Sequence, residues 1–224
     1  MKNKSLIIIC GDPESTFNEI LIKTLKKNKI LRKFNFPIII ICSKKLFKNE
    51  LKNLKTKLNF QDFNNHNSSL KNEIYLIDIP LDYKKLSLAK KNKYINKSFE
   101  AGLNLLKKNN SSTLINGPIS KATFLKGKYN GITEFLAIKT KSSNEVMLIF
   151  NKELSVSPIT THVHINKVTE KIKKKLIINK IQNISEFYKK FLGFRPNIAI
   201  TGLNPHCETF TGKNIEKKEI FPAI

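Results

Sequence analysis

The first half of the chain alternates short, unbroken apolar runs with longer stretches in which apolar residues recur every three or four positions. The apolar runs span 6–10, 37–42, 74–80 and 113–116. Each is followed closely by glycine, proline or serine, and runs of this length between such residues are typical of buried strands. The stretches with helical spacing lie between them, which predicts alternating strands and helices.

The predicted helices of this half carry defined apolar faces and polar starts. Their apolar residues are Phe17, Ile20, Leu21 and Leu25 in the first, Leu46, Phe47, Leu51, Leu54 and Leu58 in the second, and Ile95, Phe99, Leu103 and Leu106 in the third. The candidate N-caps are Ser15 or Thr16 for the first helix, Ser43 for the second, and Ser120 for a short helix after 113–116. The polar stretch 61–72 predicts a loop with a solvated His66, and the basic run 84–97 predicts a loop entering the third helix.

The second half predicts three further features. A helix begins at 133–138, and a long amphipathic helix spans about 174–192 and ends at Gly193. Segments 146–150 and 154–156 predict a hairpin, and 197–200 predicts a last strand. The whole pattern predicts an α/β fold, a three-layer α/β/α sandwich with a mostly parallel sheet and one antiparallel hairpin. We expect one α/β region over 1–224, with subdomain boundaries near 116–130 and 193–200.

Composition narrows the class of protein. The chain has 224 residues, 40% of them hydrophobic, and no apolar run reaches the roughly 18 residues of a membrane span. Its apolar start is too short for a signal peptide and leads into the turn Gly11-Asp12-Pro13, so it predicts a strand. Three widely spaced cysteines form no metal-binding or disulfide pattern, which favours a reducing cytoplasm.

The charge of the chain leaves one alternative open. The net charge is +24, with 41 Lys and Arg against 17 Asp and Glu. Such an excess raises nucleic-acid binding as a hypothesis, but the lysines are dispersed and are not interleaved with aromatic residues. We therefore favour a solvated lysine surface, which would also attract small anionic substrates. No glycine-rich nucleotide-binding motif is present.

The strongest chemical signal comes from two histidines that each follow a predicted strand. His162 ends the segment 157–162, and His206 lies in Gly202-Leu203-Asn204-Pro205-His206. Ligands bind at the carboxyl ends of strands in open α/β sheets, and an imidazole there can hold a metal or transfer a proton. His164 is interpreted as a neighbour in an extended segment.

Several segments, taken together, resemble one known family. These segments are Gly11-Asp12-Pro13 with Glu19, Asn116-Gly117-Pro118-Ile119-Ser120-Lys121, Gly131 with Thr133-Glu134-Phe135, Thr160-Thr161-His162, Gly202-Leu203-Asn204-Pro205-His206, and Pro222-Ala223-Ile224. In this order and at this spacing they are similar to the 4-hydroxythreonine-4-phosphate dehydrogenase family of pyridoxine biosynthesis.

The resemblance implies a fold like that of the isocitrate and isopropylmalate dehydrogenases. It implies NAD-linked oxidation and decarboxylation of 4-phosphooxy-L-threonine to 3-amino-2-oxopropyl phosphate, in pyridoxal phosphate biosynthesis. It assigns a divalent metal (Zn, Mg or Co) to His162 and His206 and substrate binding to Thr133, in a homodimer with a shared metal site. A dehydrogenase of a related phosphorylated sugar acid is the alternative.

Two departures from the family pattern affect these expectations. The family has histidine before the threonine, where this chain has Ile132, whose side chain cannot form hydrogen bonds. The family also extends past the position of Ile224, and its third metal histidine lies in that part. We therefore expect that the C-terminal part of the family fold is missing and that this chain alone binds metal weakly. We also predict that the rings of His162 and His206 converge at one sheet edge, about 3–4 Å apart.

Overall fold

The structure is a computed structural model that describes residues 4–27, 35–63, 71–108, 113–129, 131–142, 145–203 and 214–224. The chain folds as two compact units, Met1–Tyr129 and Asn130–Ile224. Among the described helices, none combines the length and the apolar character needed to cross a bilayer.

The first unit is built on a parallel sheet. Its described strands are β1 (Leu6–Ile9), β2 (Ile38–Cys42), β3 (Gln61–Asp62), β4 (Ile74–Asp78) and β5 (Thr113–Asn116), in the spatial order β3-β4-β2-β1-β5. In the central register, Ile8 of β1 pairs with Ile40 on one side and Ile115 on the other. Four of these strands were predicted, and β3 is a two-residue edge strand inside the predicted loop 61–72.

Helices cover both faces of this sheet. Helices α1 (Phe17–Lys26) and α2 (Lys44–Asn53) bury Ile22 and Phe47 against Ile8 and Ile40. Helix α3 (Leu88–Lys108) lies on the opposite face, where Gly102 lets it approach the side chain of Ile9. Successive strand residues point to opposite faces, so β1 supplies both cores. The predicted three-layer α/β/α arrangement is confirmed.

The helix starts agree in part with the predicted caps. Ser43 accepts a hydrogen bond from the amide of Leu46 and caps α2, and Ser120 accepts one from Thr123 at the π-helical turn Lys121–Leu125. Thr16 is the N-cap of α1 but makes no side-chain capping bond. On α1 the predicted apolar face is wrong at Ile20, which is exposed because Ile22 takes the inward position.

Helix α3 begins much earlier than the sequence pattern predicted. The basic run 84–97 is not a loop: after a 3₁₀ turn at Tyr83–Lys85, α3 starts at Leu88. Lysine has good helix propensity, and Lys93 and Lys97 are exposed while Ile95 between them is fully buried. The charged run is thus the outer face of a helix.

The second unit is mainly helical in its described residues. It contains α4 (Ile132–Thr140), α5 (Val168–Lys171) and α6 (Lys174–Phe187), and α6 continues as a π-helical turn, Tyr188–Leu192. The predicted helix end is confirmed, since Gly193 has a φ of 82°. Ile172, Ile177 and Ile220 form the small core, with Ile220 supplied by the turn Glu216–Ile220.

Two predicted β features of this unit are not formed. The hairpin reduces to one antiparallel bridge between Ile149 and Val156, whose side chains are more than half exposed and lack a core to pack against. The expected strand 197–200 is irregular backbone, although Ile200 packs against the small core. Proline at position 196 has no amide hydrogen, and no neighbouring strand is present among the described residues to pair with this segment.

Candidate functional site

The carboxyl ends of β1 and β5 bring two of the sequence motifs into close contact. The amide of Asp12 donates to the carbonyl of Pro118 at 2.8 Å, and the amide of Gly117 donates to the carbonyl of Ile9 at 2.7 Å. Gly11 has a φ of 76°, and a Cβ there would lie 2.4 Å from the oxygen of Pro118. Both glycines are therefore needed where the two loops cross.

Lys91 of α3 completes this edge of the sheet. Its ammonium lies 2.8 Å from Oδ2 of Asp12 and 2.7 Å from Oε2 of Glu14, and the side chains of Lys91 and Asp12 are each only 13% exposed. Burial lowers the pKa of Lys91, but the hydrogen bonds and charges of Asp12 and Glu14 outweigh it, so the net pKa is raised. The sequence pattern did not single out Lys91, because it placed this residue in a loop.

Further polar atoms near the start of α3 and the turn Lys121–Leu125 are shielded from solvent. The side-chain amide of Asn92 donates to the carbonyl of Thr123 at 3.1 Å. Oδ1 of Asn92 and Oγ1 of Thr123 have no hydrogen-bond partner among the described residues. A buried polar atom without a partner is costly, so this region offers groups for a polar ligand.

The two buried cysteines of the first unit are not candidates for nucleophilic chemistry. Cys10 and Cys42 are free thiols that follow paired residues of β1 and β2. The hydrogen bond from Cys10, followed by burial, raises the pKa of Cys42 well above its usual value of 9.0. The thiol form of Cys42 is therefore favoured, and a thiol is a poor nucleophile.

In the second unit, the start of α4 meets the first histidine segment. Thr161 Oγ1 donates to Oε1 of Glu134 at 3.4 Å. A Cβ built on Gly131, the N-cap of α4, would lie 3.1 Å from Oε2 of Glu134 and 3.3 Å from Nε2 of His162. His162 itself has a φ of 55°, a left-handed conformation that few non-glycine residues adopt. Four residues from two segments that are distant in sequence thus form one cluster.

The predicted site residues are placed as follows. Thr133 lies half-buried in the first turn of α4, directly after Ile132. His164 is exposed, with Nδ1 3.0 Å from Oδ1 of Asn166. His206 lies outside the described residues, so the convergence of His162 and His206 stays a prediction. Within the described ranges, no three His, Cys, Asp or Glu side chains are grouped closely enough to hold a metal.

Two carboxylates of the second unit received no role from the sequence pattern. Oε2 of Glu134 is shielded from solvent and has no hydrogen-bond partner in the described part of the chain, although this residue lies in a family motif and in a helix first turn. Glu216 is 1% exposed; its Oε1 accepts from the amide of Leu203 at 3.3 Å, and its Oε2 has no partner within the described ranges. The burial of these carboxylates depends on tertiary packing. The sequence showed only that each lies in the first turn of a helical segment.

An open groove on the second unit carries concentrated positive charge. It is lined by Lys173, Lys174, Lys175, Ile178 and Glu219. The amide of Lys174 donates to Glu219 at 2.7 Å, and this bond is the main reason that the pKa of Glu219 is lowered. The groove contains none of the predicted site residues.

Comparison with known families and proteins gives a consistent result. The family model described as pyridoxal phosphate biosynthetic protein PdxA matches residues 33–224. A 4-hydroxythreonine-4-phosphate dehydrogenase of Sulfurihydrogenibium sp. is 34% identical, over 98% of this chain and 69% of its own length. A Clostridium botulinum protein, provisionally named D-threonate 4-phosphate dehydrogenase, is 28% identical over 100% of this chain and 70% of its own length.

The fold has a counterpart among solved structures. The crystal structure of 4-hydroxythreonine-4-phosphate dehydrogenase from Klebsiella pneumoniae superimposes with a TM-score of 0.79 at 24% identity, covering 98% of this chain and 70% of that one. At this identity the likeness establishes the fold. The chain spans about seven tenths of the length of these relatives.

Proposed function

Because this chain belongs to the PdxA family of pyridoxal phosphate biosynthetic proteins, we propose that it functions as an NAD-dependent 4-hydroxythreonine-4-phosphate dehydrogenase. The observation that carries this proposal is the contact between the start of α4 and the segment of Thr161 and His162. It joins the element that bears Thr133, the proposed substrate-binding residue, to His162, the proposed metal ligand.

The reaction proposed here has two steps. The hydroxyl-bearing carbon next to the α-carbon of 4-phosphooxy-L-threonine loses hydride to NAD⁺ and its hydroxyl loses a proton, which gives a ketone. The bond to the carboxylate then breaks, CO₂ leaves, and the carbon takes up a proton to give 3-amino-2-oxopropyl phosphate. A bound divalent cation (Zn, Mg or Co) supplies Lewis-acid polarisation of the substrate oxygens.

The residues of the chain fit such a cation. Imidazole nitrogen is a common metal ligand, and Oε2 of Glu134, which accepts no hydrogen bond from a described residue, borders the same space beside Gly131 as Nε2 of His162. We propose His162 and His206 as ligands and the hydroxyl of Thr133 as a group that orients the substrate. Two histidines leave a catalytic metal under-ligated, so the site needs a further ligand from outside this set.

We extend the proposal to a homodimer that shares the metal site. It is supported by exposed apolar side chains of the second unit, in the segment of the isolated bridge: Met147, Ile149, Phe150, Leu154 and Val156. Large exposed apolar patches are typical of association surfaces. The free thiols of Cys10 and Cys42 are consistent with a cytoplasmic location.

The proposal is tested by incubating the protein with 4-phosphooxy-L-threonine, NAD⁺ and each divalent cation, while NADH and CO₂ are measured together. We expect equal amounts of both products, and none after chelation. Thr133→Val should raise KM because it removes a substrate contact, and Ser142→Ala, at an exposed site after α4, is its control. Full turnover by His162→Ala would contradict the metal assignment.

A second candidate activity is oxidation of a phosphorylated sugar acid. Two observations favour it: the similarity to the Clostridium botulinum protein, and Ile132 in the region where the family binds substrate. D-threonate 4-phosphate carries a hydroxyl in place of an amino group. Comparison of kcat/KM for the two substrates with the same preparation decides between them, and we expect the amino acid to be preferred.

A further inference from the structure

We propose that Glu134 is a positioning residue for His162: its carboxylate accepts the Nε2 proton of the imidazole and thereby leaves Nδ1 unprotonated for the metal. This inference rests on the proposed function, since it takes His162 as a metal ligand. It adds a role for Glu134 and specifies which ring nitrogen of His162 binds the metal.

The orientation of the two side chains supports this role. Oε2 of Glu134 and Nε2 of His162 lie 3.1 and 3.3 Å from one point, the place that a Cβ at Gly131 would occupy. The Cδ2 atom of the ring lies 4.0 Å from that point, so the Nε2–Cδ2 edge of the imidazole faces the space beside Gly131, which Oε2 of Glu134 also borders. Of the two ring nitrogens, Nε2 is therefore the one that lies on the side of the space shared with Oε2 of Glu134.

The carboxylate of Glu134 also has unused hydrogen-bonding capacity. Oε1 accepts from the hydroxyl of Thr161, whereas Oε2 is shielded from solvent and accepts no hydrogen bond from a described residue. An unsatisfied buried acceptor costs about 1–3 kcal/mol, more when it is charged. The ring N–H of His162 is the donor that a small rotation of the imidazole brings to it. Carboxylate oxygens commonly fix metal-binding histidines in this way.

The cluster is also held from both sides. Glu134 lies in the first turn of α4, where the helix dipole favours a negative charge. Thr161, the residue before His162, is tied to the same carboxylate. His162 adopts its uncommon backbone conformation next to this bond, with a φ of 55°. The carboxylate thus binds the hydroxyl of Thr161 through Oε1, while its Oε2 and Nε2 of His162 border the same space beside Gly131.

Gly131 makes the approach possible. Its φ of −166° is extended and open to any residue, so the requirement is for space alone. A methyl group there would press on both Oε2 of Glu134 and Nε2 of His162. Gly131→Ala therefore separates the two groups without removing either.

The decisive experiment is ¹⁵N NMR of the histidine rings in the metal-free chain at about pH 8.5, where free imidazole is neutral. We expect His162 to be in the Nε2–H tautomer. Glu134→Gln should convert it to the Nδ1–H tautomer, since the amide nitrogen then donates to Nε2. Gly131→Ala should give a mixture of the two, and His164 in the same spectra reports whether the fold is unchanged.

Metal titration supplies the second readout. Zn²⁺ added to the wild-type chain should shift Nδ1 of His162, and Glu134→Gln should weaken binding about 10- to 100-fold. Glu170→Gln, at an exposed site on α5, is the matched control and should leave both readouts unchanged. An unchanged tautomer in Glu134→Gln, or a Zn²⁺ shift at Nε2, overturns the proposal. Neither measurement needs substrate, so failure of the dehydrogenase assay would be a separate result.

Discussion

The ammonium of Lys91 lies 2.8 Å from Oδ2 of Asp12, and this ion pair joins the start of α3 to the loop after β1. Both side chains are largely buried, and Glu14 adds a second carboxylate to the same ammonium. The loop after β1 carries one of the family motifs. Because the ion pair ties this loop to Lys91, its position depends on a residue from a separate helix.

We expect Lys91→Met to lower the free energy of unfolding by about 1–3 kcal/mol, because it leaves a largely buried carboxylate without its charged partner. Urea denaturation at neutral pH measures the change. Lys93→Met, on the exposed side of the same helix, should change stability by less than about 0.5 kcal/mol. Equal effects from the two variants would show that the ion pair contributes nothing.

The stability that Lys91 contributes should depend on pH in the alkaline range. Its pKa in the folded chain is raised above the ordinary 10.5, so folding favours the protonated form. The contribution is fully present below 10.5 and is lost as the pH rises through the higher folded pKa. The difference in unfolding free energy between wild type and Lys91→Met should therefore be constant near neutral pH and shrink above 10.5. A difference that grew with pH there would contradict the assigned sign.

Gly117→Ala and Gly102→Ala should differ strongly in stability. A Cβ at Gly117 would lie 2.3 Å from the backbone oxygen of Cys10, which cannot move without breaking the loop contacts at β1. A Cβ at Gly102 would meet Cδ1 of Ile9 at 2.7 Å, the mobile end of a side chain, and alanine improves helix propensity. Thermal denaturation should show a loss of at least about 1–3 kcal/mol for Gly117→Ala and a smaller change for Gly102→Ala.

Ile132→His should strengthen the dehydrogenase activity proposed here. Position 132 begins α4, next to Thr133, and histidine supplies the hydrogen-bonding group found there in the family. One hydrogen bond to a charged substrate contributes about 1.5–3 kcal/mol, so kcat/KM should rise by about tenfold or more. Ile132→Gln tests whether hydrogen bonding alone suffices. A fall in kcat/KM for both variants would indicate that Ile132 suits a different substrate.

The net charge of +24 should not produce tight binding to nucleic acid. Because the lysines are dispersed, few phosphates would be contacted together, and affinity for arbitrary DNA should be weak at about 0.15 M salt. Fluorescence anisotropy across a salt series measures both the affinity and its slope. Tight binding that persists at that salt concentration would support the alternative of a nucleic-acid-binding protein.

Much of the fold was determined by local sequence patterns. Unbroken isoleucine runs such as 38–41 form strands because their side chains are buried on both faces, and Ser43 caps α2 through an interaction within one turn. The prediction of secondary structure was wrong where a local pattern is compatible with two kinds of structure. The lysines before Ile95 belong to a helix rather than a loop, and the apolar residues around Ile149 have no sheet to join.

The family motifs, with their order and spacing, were also visible in the sequence alone, and they identified Thr133 and His162 as candidates. Only the tertiary structure decided which residues meet: Lys91 with Asp12, Gly117 with the backbone of Cys10, and Glu134 with Thr161. The physical reason is that local patterns record the burial and backbone preference of each segment. Contacts between distant residues depend on strand order and on the faces that the helices cover, and these are set by the packing of the chain as a whole.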